Sequence, residues 1–219
     1  FGRDGKKEKV FAQKAIYDRS TYYKYVIYDE DYDNLLLKQK HFAEESKYNK
    51  DYDHLCDLAL LQINSGNMLT FNNEVDIFKD GESKFEALFN DIRNAKKFIH
   101  LEYYIIRNSS LSRELVKLLE EKAKEGVKVR VLYDGMGCRT LSPSFFKGLR
   151  EQGGEARAFH PPITIRINYR NHRKIAVIDG EIGYVGGFNI GDEYLGKVKR
   201  YGYWRDTHIR IVGDAVNYL

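Results

Sequence analysis

His172 and Lys174 place an imidazole and an ammonium two residues apart, so a strand would turn both side chains to one face. The apolar run 175–178 carries that strand into a core. Asp179-Gly180 closes it with a turn, and a second short strand ends in Gly186-Gly187, with Asn189 just beyond. Phosphodiester transfer without a metal needs a group able to hold the phosphoryl. It also needs cations for the non-bridging oxygens and a proton donor for the leaving alcohol. His172 can fill the first role if a carboxylate holds its other nitrogen, and Lys174 can fill the second. Asn189 can donate an amide N–H to a phosphate oxygen, and the glycines let the backbone approach closely. Taken singly, each residue has an ordinary reading: a solvated histidine, a surface lysine, a hairpin turn. Their joint occurrence at fixed offsets carries the chemical reading.

The elements that must position these groups follow from periodicity. Residues 1–66, rich in Tyr, Lys and Asp, form a helical N-terminal segment, with Leu55, Leu58, Ala59 and Ile63 at helical spacing and Gly66 as cap. Residues 67–219 alternate strands with helices. Strands are expected at 74–78, 98–106, 127–133, 156–159, 173–178, 182–185 and 206–212. Ser83 and Glu86 predict a capping box for a helix that buries Phe85, Leu88, Phe89 and Ile92. A second helix over 111–125 buries Leu115, Leu118 and Leu119 and stops at Gly126. Ser142 caps a third, with Pro143 at its first position. The expected fold is α/β, a mixed sheet flanked by helices on both faces.

Bulk properties narrow the class. The chain has 219 residues and a formal charge of +4, which is too modest to imply a general polyanion-binding surface. Cys56 and Cys138 match no metal or redox spacing and read as free thiols of a reducing compartment. No apolar run approaches a membrane span, and no signal peptide is visible. The chain opens on Phe1 rather than Met and stops at Leu219 within an expected helix. A piece of a longer protein is therefore the expectation.

The order His-x-Lys, four residues, Asp, six residues, Gly-Gly-x-Asn resembles the signature of the phospholipase D superfamily. Residues 190–195 (Ile-Gly-Asp-Glu-Tyr-Leu), 204–207 (Trp-Arg-Asp-Thr) and 98–106 look like the bacterial cardiolipin synthase branch in particular. The resemblance runs from about Phe71 to the end, and more weakly through the N-terminal segment. Many superfamily members carry Ser where this chain has Gly187, and Gly is common in the synthase branch.

The resemblance implies an assignment for each residue. His172 is the nucleophile of a phosphohistidine intermediate, or the general acid paired with a nucleophile from another half-site. Lys174 and Asn189 hold the phosphate, beside Gly187. Asp206 orients the histidine and raises its basicity. Asp179 belongs to the catalytic signature, but its place in a turn points to a structural role. Glu102 faces the same phosphate site from a neighbouring strand, or forms an ion pair. No cofactor and no metal are called for.

The family uses two such motifs meeting across a pseudo-twofold axis. His41, His54, His100, His160 and His208 all lack a Lys two residues later, so this chain carries one motif. The partner is then a second catalytic half of a longer chain, or the mate in a homodimer. The expected activity is phosphatidyl transfer from one phosphatidylglycerol to another, giving cardiolipin and glycerol. A hydrolytic phospholipase D, another phosphodiesterase or nuclease, and a non-catalytic membrane-associated half-domain are the alternatives. Phosphatidylglycerol and anionic membrane lipids are the expected partners, and nucleic acid is not. The basic start, with Lys6, Lys7 and Lys9, resembles the cytoplasmic flank of a membrane segment, or is a solvated arm. The expected location is the cytoplasmic side of a bacterial membrane, with this chain by itself soluble.

Overall fold

The computed structural model describes residues 70, 72–142, 144–159 and 170–219. The expected N-terminal segment 1–66 and the expected position of Pro143 lie outside the described residues.

Seven strands form one mixed sheet. They are β1 (Glu74–Phe78), β2 (Phe98–Tyr103), β3 (Lys128–Asp134), β4 (Glu155–Phe159), β5 (Lys174–Ile178), β6 (Ile182–Gly186) and β7 (His208–Val212). Their order across the sheet is β1-β7-β6-β5-β2-β3-β4. The pairs β2–β3 and β3–β4 are parallel, and all the others are antiparallel. The parallel pairs are joined through helices, as parallel neighbours must be: α1 (Gly81–Asn94) precedes β2, α2 (Ser110–Lys124) joins β2 to β3, and α3 (Lys147–Glu151) precedes β4.

Helix α1 begins because Asp80, in extended conformation, accepts the Ser83 N–H at 2.8 Å, while the Ser83 hydroxyl donates back at 2.8 Å. The cap is therefore Asp80, not Ser83. The box expected at Ser83 and Glu86 lies one turn too late, because Ser83 is already the third helical residue. Helix α2 is capped by Ser109, whose hydroxyl accepts from Ser112 N, and it ends before Gly126 at φ 93°. The expected helix after Ser142 starts only at Lys147, since Ser142 Oγ caps a local turn by accepting from Ser144 N at 3.2 Å. The long strand expected over 98–106 ends at Tyr103, and Ile106 makes only an isolated bridge to Ile190.

One face of the sheet packs on the helices. Ile99, Leu101, Val129, Val131, Ala176, Ile178 and Tyr184 meet Phe85, Leu88, Ile92, Leu115 and Leu119 there, all buried. Each such aliphatic or aromatic side chain stabilises the fold by about 1.5–3 kcal/mol relative to exposure. A polar clasp reinforces the layer: Asp91 of α1 accepts from Tyr184 Oη at 2.5 Å and from Arg210 Nε at 2.7 Å. Helices on both faces were expected. Among the described residues α1, α2 and α3 share one face. The other face carries His100, Glu102, Arg130, Leu132, Ile175 and Val177 along an open groove of about 550 Å³. No helix among the described residues is long and apolar enough to cross a membrane.

Candidate phosphate-handling site

The register brings four strand ends together. Tyr103, the last residue of β2, pairs with Lys174, the first of β5. Gly186, the last of β6, pairs with His208, the first of β7. Cross-strand neighbours point to one face, so Lys174 lies on the helix-packed side of the sheet with Tyr103. The segments just beyond these ends carry Tyr104, His172, Gly187, Asn189 and Asp206. Residues far apart in the chain thus converge at one end of the central strands.

His172 is exposed and precedes β5 rather than lying in it. Its ring stacks on Tyr104, with centroids 3.8 Å apart and planes 17° from parallel. Lys174 Nζ donates to the His172 carbonyl at 2.6 Å and lies 5.3 Å from the centre of the same Tyr104 ring. The expected imidazole–ammonium pair is therefore gathered on one tyrosine. Burial lowers the Lys174 pKa, and the Asp206 carboxylate partly offsets that by favouring the ammonium.

Asp206 lies against Gly187. A Cβ at Gly187 would fall 1.9 Å from Asp206 Oδ1, so a larger residue there would displace the carboxylate. Gly187 N donates to Thr207 O at 2.8 Å, and Thr207 N donates to Asp206 Oδ1 at 2.7 Å. Gly186 is closed in by backbone, since a Cβ would come 2.5 Å from both His208 Cα and Thr207 O. Asn189 is buried. Its Oδ1 accepts from Ile105 N at 3.0 Å and its Nδ2 donates to Tyr194 Oη at 3.0 Å. The amide nitrogen carries a second hydrogen.

Two predicted residues are not brought to this cluster. Glu102 points to the opposite sheet face, where it accepts from Asn171 Nδ2 and faces Arg173 at 3.8 Å, the ion-pair alternative. Asp179 follows β5, five residues beyond Lys174 and about 16 Å away at the rise of a strand. It adopts φ 57°, followed by Gly180 at φ 75°, the pair of positive angles a tight hairpin turn demands. Its carboxylate accepts from the backbone of Lys96, Lys97 and Phe98 at 2.7, 2.7 and 2.8 Å. Burial alone would raise its pKa, but the three N–H donors outweigh it and the pKa is lowered. Asp179 clamps the entry to β2.

Several neighbours escaped sequence reasoning. Tyr104 follows a strand end and shows no period of its own. Lys84 is wholly buried beneath the site, donating to Tyr103 Oη at 3.0 Å and lying 3.7 Å from the centre of the Phe85 ring. Burial pushes its pKa well down. Its signal was its place four residues before Leu88, on the buried stripe itself. His208 is fully buried with neither ring nitrogen bonded, and burial, with Lys84 and Lys174 nearby, lowers its pKa to about 2. Asp134 is buried and accepts from Met136 N, Gly137 N and Asn171 N, tying the approach to His172 onto the end of β3.

Comparison with known proteins gives the family of the chain. The chain is 50% identical over 185 residues to the cardiolipin synthase of Listeria monocytogenes serotype 4a (strain HCC23), covering 83% of this chain and 38% of that protein. It is 50% identical over 187 residues to the cardiolipin synthase of Staphylococcus aureus (strain Mu50), covering 84% and 37%. The chain thus spans less than two fifths of the length of these curated relatives. Among solved structures, phosphatidylserine synthase from Haemophilus influenzae Rd KW20 is similar in fold. Its TM-score is 0.54 at 17% identity, over 66% of this chain and 34% of that one. Residues 88–200, which include His172, Lys174 and Asn189, match the family described as "Cardiolipin synthase, PLD-like domain", and the chain belongs to that family.

Proposed function

We propose that this chain supplies one half of the active site of a phosphatidyltransferase that makes cardiolipin from two molecules of phosphatidylglycerol. The observation that carries the reading is the convergence of His172 and Lys174 on Tyr104, with Asp206 close enough to Lys174 to favour its charge. An exposed imidazole next to a half-buried ammonium suits attack on a phosphodiester whose negative charge the cation neutralises.

In the first step a His172 ring nitrogen attacks phosphorus and the bond to the headgroup glycerol breaks. The glycerol oxygen takes a proton from an acid supplied by the second half, leaving a phosphatidyl–histidine bond. In the second step the glycerol hydroxyl of another phosphatidylglycerol attacks phosphorus and gives its proton to the same group of the second half, now a base, while the P–N bond breaks to release cardiolipin and free His172. Lys174 holds a non-bridging oxygen throughout, and the remaining N–H of Asn189 holds another. Asp206 positions the ammonium and the loop that carries Gly187. By symmetry of the two halves, His172 can instead serve as the acid to a nucleophile in the other half. The second half comes from a longer parent chain, in keeping with the length of the relatives. The work is done at the cytoplasmic face of a bacterial membrane. The α/β/α sandwich belongs to the same proposal, since Leu132, Ile175 and Val177 give the groove face the apolar surface a second helical layer would cover.

The test uses the longer parent protein with vesicles of phosphatidylglycerol. Cardiolipin and free glycerol should appear together, and His172→Ala should abolish both. Phosphatidic acid as the sole product would replace the transferase by a hydrolase. Cleavage of nucleic acid at a comparable rate would overturn the lipid reading.

A further inference from the structure

Between the short 3-10 turn Asp192–Leu195 and β7 the chain forms a closed loop. Gly196 and Gly202 both have positive φ, 68° and 59°. A Cβ on Gly196 would lie 3.6 Å from Gly202 O, so the two ends of the loop meet. Tyr201 N and Gly202 N both donate to Val198 O, at 2.9 and 3.2 Å, and Lys197 N donates to Asp192 O at 3.2 Å. The tip is thus built rather than loose. From Tyr194 through Arg205 the chain carries Lys197, Lys199, Arg200 and Arg205, all exposed, and no acid. Two tyrosines stand out with them, Tyr201 at 51% and Tyr203 at 73% exposure.

The loop is mechanically joined to the site. Trp204 packs edge-on against Tyr194, with centroids 4.9 Å apart, and against Tyr201 at 5.9 Å. Tyr194 Oη in turn takes the hydrogen bond from Asn189, and Asp206 follows the loop directly. A surface of cations and exposed tyrosines therefore lies one aromatic contact and one hydrogen bond from the proposed phosphate ligand.

We propose that residues 196–205 are the surface by which this site seats on an anionic phospholipid membrane, the cations meeting lipid phosphates and Tyr201 and Tyr203 lying at headgroup level. The inference rests on the lipid-substrate reading above and adds where the membrane is held. Tyrosine suits that level because its ring is apolar and its hydroxyl wet. Lysine and arginine each gain about fivefold in binding at a negatively charged leaflet, an effect that salt screens. A protein partner would have to bring acids matched to four cations, whereas phosphatidylglycerol presents negative charge at every headgroup.

Trp204 is the only tryptophan of the chain and reports the event directly. The 219-residue chain, mixed with vesicles of phosphatidylglycerol and phosphatidylcholine that carry a dansylated headgroup lipid, should show energy transfer from Trp204. Vesicles of phosphatidylcholine alone should not give it. The combined Lys197→Gln, Lys199→Gln, Arg200→Gln variant should bind on the order of a hundredfold more weakly, the product of three fivefold losses. Tyr203→Ser should also weaken binding, and as a change at an exposed position it should leave the far-ultraviolet spectrum unchanged. His172→Ala should bind as the parent does. Parent-like binding by the triple variant would overturn the proposal, as would binding abolished by removing residues 1–66 but untouched by the loop changes. In the longer parent protein, the Tyr203→Cys variant should react with a water-soluble maleimide until vesicles are added. Shielding without vesicles would mean that protein covers the loop, and would overturn the proposal equally. The two readings fail separately: cardiolipin synthesis with loop-independent docking sinks this one alone, and loop-dependent docking without lipid turnover sinks the activity alone.

Discussion

The ring of Tyr104 lies 3.8 Å from that of His172, nearly parallel to it, and the Lys174 ammonium lies 5.3 Å from the centre of the same ring. One aromatic surface thus fixes the plane of the imidazole and attracts the cation beside it. Tyr104→Ala should free both groups and lower turnover of the longer parent protein by about 10- to 100-fold, the usual cost of losing reactive alignment. Tyr104→Phe keeps the ring and should stay within a few fold of the parent. Equal losses in the two variants would assign the role to the hydroxyl instead.

Gly187 has no room for a side chain while Asp206 stays where it is, because a Cβ would fall 1.9 Å from the carboxylate oxygen. Many relatives in the wider superfamily carry serine at this place, so the substitution is chemically mild. In this chain Gly187→Ser should push the carboxylate aside and lower kcat by about tenfold, with little change in unfolding midpoint, since a side chain near the surface can move where backbone cannot. A serine variant with parental kcat would show that Asp206 does not need its present position.

Asp206 also bears on pH dependence. Burial lowers the pKa of Lys174, and the Asp206 carboxylate raises it part of the way back. If Lys174 holds the phosphate as proposed, binding requires the ammonium, and activity should fall on the alkaline side as Lys174 loses its proton. Asp206→Asn removes the raising influence, the Lys174 pKa drops further, and the alkaline limb of the kcat/KM profile should move to lower pH. An alkaline limb that stays in place would separate Lys174 from Asp206.

The candidate site was legible because it is written locally. His172, Lys174, Gly187 and Asn189 sit within eighteen consecutive residues, and Asp206 follows in a stretch resembling the same family. The helix faces were legible for the same reason, since Phe85, Leu88, Phe89 and Ile92 recur at the helical period and all are buried. What escaped depends on contacts between distant segments. Tyr104 acquires its place only when β5 pairs with β2. Glu102 was a candidate ligand because it lies on a strand neighbouring the site, but the register turns it to the other face. The start of α1 was misplaced because Asp80 and Ser83 compete as caps at similar intrinsic preference, and the hydrogen bond between them decides for Asp80.

Asp179 is the signature residue whose carboxylate joins chain segments. It accepts three backbone N–H groups from the entry to β2, 2.7–2.8 Å each, and stands at the far end of β5 from Lys174. Asp179→Ala leaves those donors to water, because the site is only partly buried, so the loss should be near the low end for bonds to a charged acceptor, about 2 kcal/mol. The sign of its pH dependence follows from its lowered pKa. The folded state holds the carboxylate ionised more firmly than the unfolded chain does. The stabilisation is therefore complete above the ordinary aspartate value of 3.8 and is lost as pH falls through the folded value below it. Urea unfolding should show the Asp179→Ala variant weaker than the parent at pH 7, with the gap closing as both are taken below pH of about 4. Turnover of the longer parent protein at a temperature where the variant remains folded should be close to normal. A variant as stable as the parent but inactive would return Asp179 to the reaction itself.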